Sequence, residues 1–304
     1  MQGVPQEEIM SDPSRPRRRI LIIYNPAAGP FRMRRLGAVT TALRGLAEVT
    51  MVETRFSGHA VEIAREIDPR DFDVIAAAGG DGTVNEIING LGTKDVAVGV
   101  IPLGTANVLA IEIGMAGNAT AIAQTLGFGP IRPIRVGRVN GRRFVMMAGA
   151  GFDAEVVNGV SPRLKRAFGP LAYVLQAVRR GFDRSPPGID VEVGGESYRV
   201  ASVVVCNGRH YGGPFVAAPE ATLADDRLHI VLLKTAGPLA VAKYGVSLLL
   251  GMLPRLRDVE IVAAQRLTIR GREGRPIQAD GDIVASLPAV IEIDPDPVRL
   301  IYPA

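Results

Sequence analysis

One stretch constrains this chain more than any other: Ala77-Ala78-Gly79-Gly80-Asp81-Gly82-Thr83-Val84-Asn85-Glu86. It runs on from a short apolar segment, residues 73–78, and leads into helical spacing over residues 83–89. A glycine-rich turn between a buried strand and a helix aims backbone N–H groups and the positive end of the helix at an anion. Glycines let the backbone approach that anion closely. Asp81 adds a carboxylate suited to holding Mg²⁺ beside phosphates. A tight turn with a capping Asp is the plainer alternative, but it does not require so many special residues in a row.

Two more loops of small residues follow apolar runs. Asn25-Pro26-Ala27-Ala28-Gly29 closes the run at residues 19–24, and Pro102-Leu103-Gly104-Thr105-Ala106-Asn107 closes the run at 96–101. Further strand signals at 48–53 and helical spacing at 33–46 and 57–67 complete a strand–helix alternation, which implies a parallel sheet covered by helices. Ligands of such sheets bind beyond the carboxyl ends of the strands, so the three loops are expected to meet at one cleft. After residue 132 short β-like runs dominate (134–139, 142–148, 189–193, 197–206, 228–233, 257–262 and 266–269), interrupted by helical stretches at 163–180 and 238–253. The expected architecture is an α/β N-terminal nucleotide-binding domain with a parallel sheet, plus a C-terminal antiparallel β-sandwich-like domain. The expected boundaries are a disordered basic leader at 1–18, an α/β nucleotide-binding domain at 19–132, a β-rich second domain at 133–289, and a segment at 290–304 that returns to the first domain.

Composition narrows the functional classes. A chain of 304 residues with 47% hydrophobic and 22% charged residues is an ordinary globular sequence large enough for two domains. A net charge of +4 with 5% aromatics and no Trp argues against nucleic acid, while suiting contact with an anionic membrane surface. The single cysteine, Cys206, lies in an apolar run and reads as a buried strand residue. No secretory signal is visible and no run approaches the ~18 apolar residues of a membrane span. A cytoplasmic protein with transient membrane association is expected; a homodimer is compatible with this but not required.

Taken together, Asn25–Gly29, Gly79–Glu86, Leu103–Asn107, Gly151-Phe152-Asp153-Ala154 and Asp280-Gly281-Asp282 resemble, in order, the diacylglycerol kinase catalytic-domain family, which includes bacterial lipid kinases and sphingosine kinases. The resemblance spans nearly everything from Arg19 to the C-terminus. It implies ATP and Mg²⁺ as cofactors and a lipid hydroxyl as phosphate acceptor, with diacylglycerol the default. It implies ATP binding by Asn25, Pro26, Ala27, Ala28, Gly29, Thr54, Gly79, Gly80, Asp81, Gly82, Thr83, Asn85, Glu86, Gly104, Thr105 and Asn107. Asp81 would hold the catalytic Mg²⁺, Asp282 would act as base, and Asp225 would belong to a structural metal site.

Three departures bear on this. The family's third loop ends Asn-Asp, whereas Val108 follows Asn107 here; Glu112, about a helical turn on, is the nearest replacement. The late motif reads Asp-Gly-Glu in the family and Asp280-Gly281-Asp282 here, shortening the base by one methylene. His229 stands where relatives carry an acid next to the structural metal. An NAD kinase-like enzyme, sharing the glycine-rich loop, and a nucleotide- or lipid-binding protein with little kinase activity are the alternatives. Against the first, Asn85-Glu86 follows the loop at once. For the acceptor, the basic-then-apolar stretch Arg163-Leu164-Lys165-Arg166-Ala167-Phe168, continued by Leu171, Val174, Leu175 and Val178, reads as a helix able to meet a membrane, or equally as a core helix with a solvated basic end. The loop His210-Tyr211-Gly212-Gly213-Pro214 is similar to the family's glycine-rich segment near the cleft.

Overall fold

The structure is a computed structural model that describes residues 16–26, 29–115, 117–151, 154 and 188–304. The N-terminal sheet begins with β1 (Arg19–Tyr24), β2 (Glu48–Glu53), β3 (Val74–Gly79) and β4 (Ala97–Pro102), all parallel. Its helices are α1 (Pro30–Arg44), α2 (His59–Glu66), α3 (Asp81–Leu91), α4 (Val108–Glu112) and α5 (Ala119–Phe128). The apolar runs of β1 and β3 are continuous because both faces are covered. Leu21, Ile23, Ile75 and Ala77 pack with residues of α2, α3 and α4. Ile20, Ile22, Val74 and Ala76 pack on the other side with residues of α1 and α5.

The second domain is a sandwich of two antiparallel six-stranded sheets. One holds β6 (Gly137–Val139), β7 (Arg142–Phe144), β9 (Ile189–Val193), β10 (Glu196–Val200), β16 (Arg266–Arg270) and β19 (Ala289–Ile293). The other holds β8 (Met147–Gly151), β11 (Ser202–Cys206), β14 (Leu228–Leu233), β15 (Val259–Ala264), β17 (Pro276–Ala279) and β18 (Asp282–Ser286). Between them lie Val191, Leu267 and Ile291 facing Val203, Val205, Ile230 and Ile277. The outward residues of the second sheet, among them Val204, Cys206 and Val231, are buried under α6 (Pro238–Leu249). A short ribbon of β12 (His210–Tyr211) and β13 (Phe215–Val216) stands beside the cleft.

Two sequence expectations are corrected. The first domain's sheet has the order β2-β1-β3-β4-β20-β5, where β5 is Ile131–Ile134 and β20 is Val298–Ile301. The domain crossing therefore falls after residue 134, not 132, and β19 remains in the sandwich, so that the returning segment begins only after it. The second correction concerns runs read as single strands. Residues 142–148 and 197–206 each divide into two strands that belong to opposed sheets. Neither run has a glycine or proline to mark the corner at which the chain changes sheets. The helical stretch expected at 163–180 and most of the leader lie outside the described residues.

Candidate active site

The strand order places the β3 loop between the loops that follow β1 and β4. The central contact is backbone against backbone: a Cβ on Gly104 would lie 2.4 Å from Gly80 Cα, and one on Gly80 would lie 3.1 Å from Gly104 Cα. No side chain larger than hydrogen fits at that crossing. Asn107, at φ 48°, locks its own loop: Gly104 N–H donates to Asn107 Oδ1 (2.7 Å), and Asn107 Nδ2 donates to Gly104 O (3.0 Å). Leu103 N–H donates to Gly79 O (2.8 Å), tying the β4 loop to the β3 loop.

These loops floor a cavity of about 300 Å³ between the domains. Gly80, Asp81, Gly82, Gly104 and Thr105 line one side, at the N-terminus of α3. The first amides of a helix lack intrahelical acceptors and carry positive partial charge, which makes this wall a fit for phosphate oxygens. Arg32 of α1 joins them, its Nη2 3.3 Å from Thr105 Oγ1. The opposite wall is apolar: Met146, Met147, Tyr211, Phe215, Leu248 and Leu249.

The two acids of the late motif do different things. Asp280, half-buried on the cavity wall at φ 49°, has its carboxylate turned into the protein. Val145 N–H donates to its Oδ2 (2.7 Å), Met146 and Met147 N–H donate to its Oδ1 (2.8 and 3.1 Å), and Asn85 Nδ2 of α3 donates to Oδ2 (2.8 Å). Burial pushes the Asp280 carboxyl up from the usual range, against these four donors that favour its charged form. Asp282, two residues on at the start of β18, is exposed, and its Oδ2 lies 3.7 Å from where a Cβ on Gly82 would stand. The inward-turned acid thus fastens the sandwich to α3, and the exposed acid faces the glycine-rich loop.

Other expected site residues hold the cleft rather than line it. Glu86 accepts from Gly58 N–H (3.0 Å) and Ala60 N–H (3.2 Å), capping α2. Asn85 also donates to Arg143 O (3.1 Å), across the domain boundary. Thr83 and Gly79 pack against each other behind the loop. Thr54 closes β2 and its N–H donates to Tyr24 O (2.8 Å), next to exposed Asn25 and Pro26. Gly29 precedes α1, and Ala27 and Ala28 lie outside the described residues. Asp81 Oδ1 accepts from Leu109 N–H (3.1 Å) at the start of α4, so its carboxylate also ties the β4 loop to α3.

Two metal-related expectations read differently in three dimensions. Glu112 does not face the glycine-rich loop; it accepts from His210 N–H (3.1 Å) and meets His210 Nδ1 at 2.6 Å. Asp225 faces Arg227 (3.6 Å) and His229 (3.5 Å). Burial raises its carboxyl, but these basic neighbours outweigh that and hold it below the usual range. Among the described residues no group of three or more His, Cys, Asp or Glu forms a metal cluster. Arg32 and the apolar residues Met146, Phe215 and Leu248 were not legible as site residues. Their sequence surroundings are those of ordinary helix and core positions, and only the fold brings them to the cleft.

An α/β domain with a glycine-floored anion cradle, closed by a β-sandwich that presents a carboxylate to it, has the architecture of a two-domain kinase. Residues 19–139 match the diacylglycerol kinase catalytic domain, and residues 146–302 match the YegS C-terminal NAD kinase beta sandwich-like domain. A diacylglycerol kinase of Bacillus subtilis is 31% identical over 278 residues, covering 89% of this chain and 92% of that protein. A YegS-like lipid kinase of Pseudomonas aeruginosa is 28% identical over 299 residues, covering 94% of each. The crystal structure of a diacylglycerol kinase from Bacillus anthracis superposes with a TM-score of 0.71 at 21% identity, covering 94% of this chain and 97% of that one, which shows the shared fold. The chain belongs to the diacylglycerol kinase catalytic-domain family and is a phosphotransferase with an alcohol group as acceptor.

Proposed function

We propose that this protein transfers the γ-phosphate of ATP to the hydroxyl of a membrane lipid, diacylglycerol first among the candidates. The observation that carries the reading is the two-sided cleft, with the α3 N-terminus, the Gly80–Gly104 floor and Arg32 on one side and an apolar wall on the other. The polar side suits the triphosphate of ATP and the apolar side suits acyl chains. Phosphoryl transfer needs positioning and charge neutralisation more than covalent help. Mg²⁺, when bound with ATP, supplies much of that neutralisation, and Asp81, on the cavity wall at the α3 N-terminus, would hold it. Arg32 adds a fixed positive charge at the same wall. Asp282 accepts the proton of the acceptor hydroxyl, and its exposure lets it pass that proton to solvent. Asp280 is not a candidate base, because its oxygens are committed to four donors.

The test is transfer from labelled ATP with Mg²⁺ to a panel of lipids in mixed micelles, with NAD as a soluble acceptor and Asp282→Ala as control. A labelled lipid that disappears with Asp282→Ala supports the reading and identifies the acceptor. Label on NAD alone, or ATP binding without transfer to any lipid, refutes it.

A further inference from the structure

Large apolar side chains are exposed along one stripe of α6 and the turn that follows. Leu239 is 86% exposed, Val246 54%, Leu249 41%, Leu250 66% and Met252 45%. Leu239, Lys243, Val246 and Leu250 share one helix face by their spacing of four, three and four residues, three of the four being apolar. The opposite face, with Ala240 and Tyr244, is buried on the sandwich. The stripe therefore is not a frayed end of the core; α6 is anchored on one side, and its other side is apolar apart from Lys243, whose ammonium pairs with Asp258. Monomeric proteins rarely expose apolar side chains grouped in this way without a use for them.

We propose that this stripe is the surface by which the protein seats itself on an anionic bilayer, with the Leu250–Met252 turn entering the interface. Two observations select a lipid surface over another occupant. The stripe is continuous with the cleft, because Leu249 belongs to it while Gly245, Leu248 and Leu249 also line the apolar wall, so a lipid can pass from bilayer to site without crossing water. The turn is also flanked by basic charge. Arg255 and Arg257 are both exposed, and neither makes an ion pair with an acidic side chain among the described residues. An apolar face edged by such arginines matches the acyl boundary and the anionic headgroups together. This inference rests on the lipid-acceptor reading above and names the surface that serves it.

The test pairs vesicle binding with activity on two presentations of diacylglycerol. Vesicles of phosphatidylcholine with and without phosphatidylglycerol are floated with wild type, Leu250→Glu/Met252→Glu and Arg255→Glu/Arg257→Glu, and self-association is followed by sedimentation. None of these four residues lines the cleft and all are exposed, so the variants are expected to fold. The apolar variant is expected to bind anionic vesicles at least tenfold more weakly and to lose turnover of vesicle-borne diacylglycerol in proportion. Its turnover of a short-chain diacylglycerol dissolved as monomers is expected to stay within twofold of wild type. The arginine variant is expected to lose the preference for anionic over neutral vesicles. Vesicle binding that is absent in wild type or unchanged in the apolar variant overturns the inference. So does a wild-type dimer that the apolar variant converts to monomer with vesicle binding intact, which would assign the stripe to a second copy. If α6 governs vesicle binding but no lipid is phosphorylated in either form, the acceptor reading falls and the docking surface stands.

Discussion

Two aspartates separated by one glycine divide the labour of the late motif, and each can be tested alone. Asp282 faces the glycine-rich loop with no partner among the described residues, whereas Asp280 accepts from three backbone amides and Asn85. Asp282→Ala is expected to leave the melting temperature within a degree or two while lowering kcat by about 10²–10⁴-fold, the usual worth of a general base. Asp282→Glu restores the reach found in the family and should keep or raise kcat. Asp280→Asn behaves differently. An amide must turn its NH₂ toward backbone N–H groups, so at least one buried donor loses its acceptor. That costs about 1–3 kcal/mol of stability, read by urea unfolding. An equal effect of Asp282→Ala and Asp280→Asn on stability would show that the assignment of roles is wrong.

The element scale shows what was legible and what was not. The strand–loop–helix order around Gly79–Glu86 could be read directly, because buried parallel strands are continuous apolar runs and glycine turns punctuate them. The site loops were legible for the same reason. The division of 142–148 and 197–206 between opposed sheets was not, since neither run has a glycine or proline at the corner where the chain changes sheets. Glu86 reads as a phosphate-loop residue in sequence, yet its carboxylate caps α2, a contact made between elements 26 to 28 residues apart. The crossing of the β3 and β4 loops at Gly80 and Gly104 gives the sharpest element-scale prediction. Gly104→Ala places a methyl 2.4 Å from Gly80 Cα, where backbone, not a flexible side chain, must yield. Overpacking of this kind costs about 1–3 kcal/mol, and here it also shifts the amides proposed to face the phosphates. The expected result is a lowered melting temperature together with at least about a tenfold rise in the KM for ATP, equivalent to ~1.4 kcal/mol. An unchanged KM for ATP would show that the two loops do not cradle the nucleotide.

At the scale of the whole molecule, the chain crosses between domains outward after β5 and back before β20, and the two crossings are bound side by side. Asp294 N–H donates to Val136 O (2.8 Å), and Arg135 Nη1 donates to Pro295 O (2.9 Å). Asp294 is fully buried and takes Arg138 Nε and Arg143 Nε, each at 2.5 Å, while Arg143 also donates to Gly92 O at the end of α3. One carboxylate therefore organises the joint that sets the sandwich over the cleft. Burial alone would raise its carboxyl, but the two guanidinium groups outweigh that and hold it below the usual carboxylate range. A carboxylate whose folded value is depressed contributes stability that is present above its unfolded value, about 3.9, and is lost as pH falls through the folded value. Wild type should thus lose stability as pH drops below about 4, and Asp294→Asn should remove part of that slope. At pH 7 the same substitution leaves buried Arg143 and half-buried Arg138 with only the half-exposed Asp296 at 3.8–3.9 Å, so the cost should stay below the about 3–5 kcal/mol of a wholly unpaired buried charge. Because Arg143 also touches α3, the loss should reach the cleft: ATP affinity should fall even in the fraction that stays folded. Urea unfolding at pH 7 and pH 4, with ATP binding at pH 7, measures both. A parallel pH dependence of stability in wild type and variant would mean that Asp294 carries none of the acid sensitivity. ATP affinity unchanged in the folded variant would mean that the joint does not position the cleft.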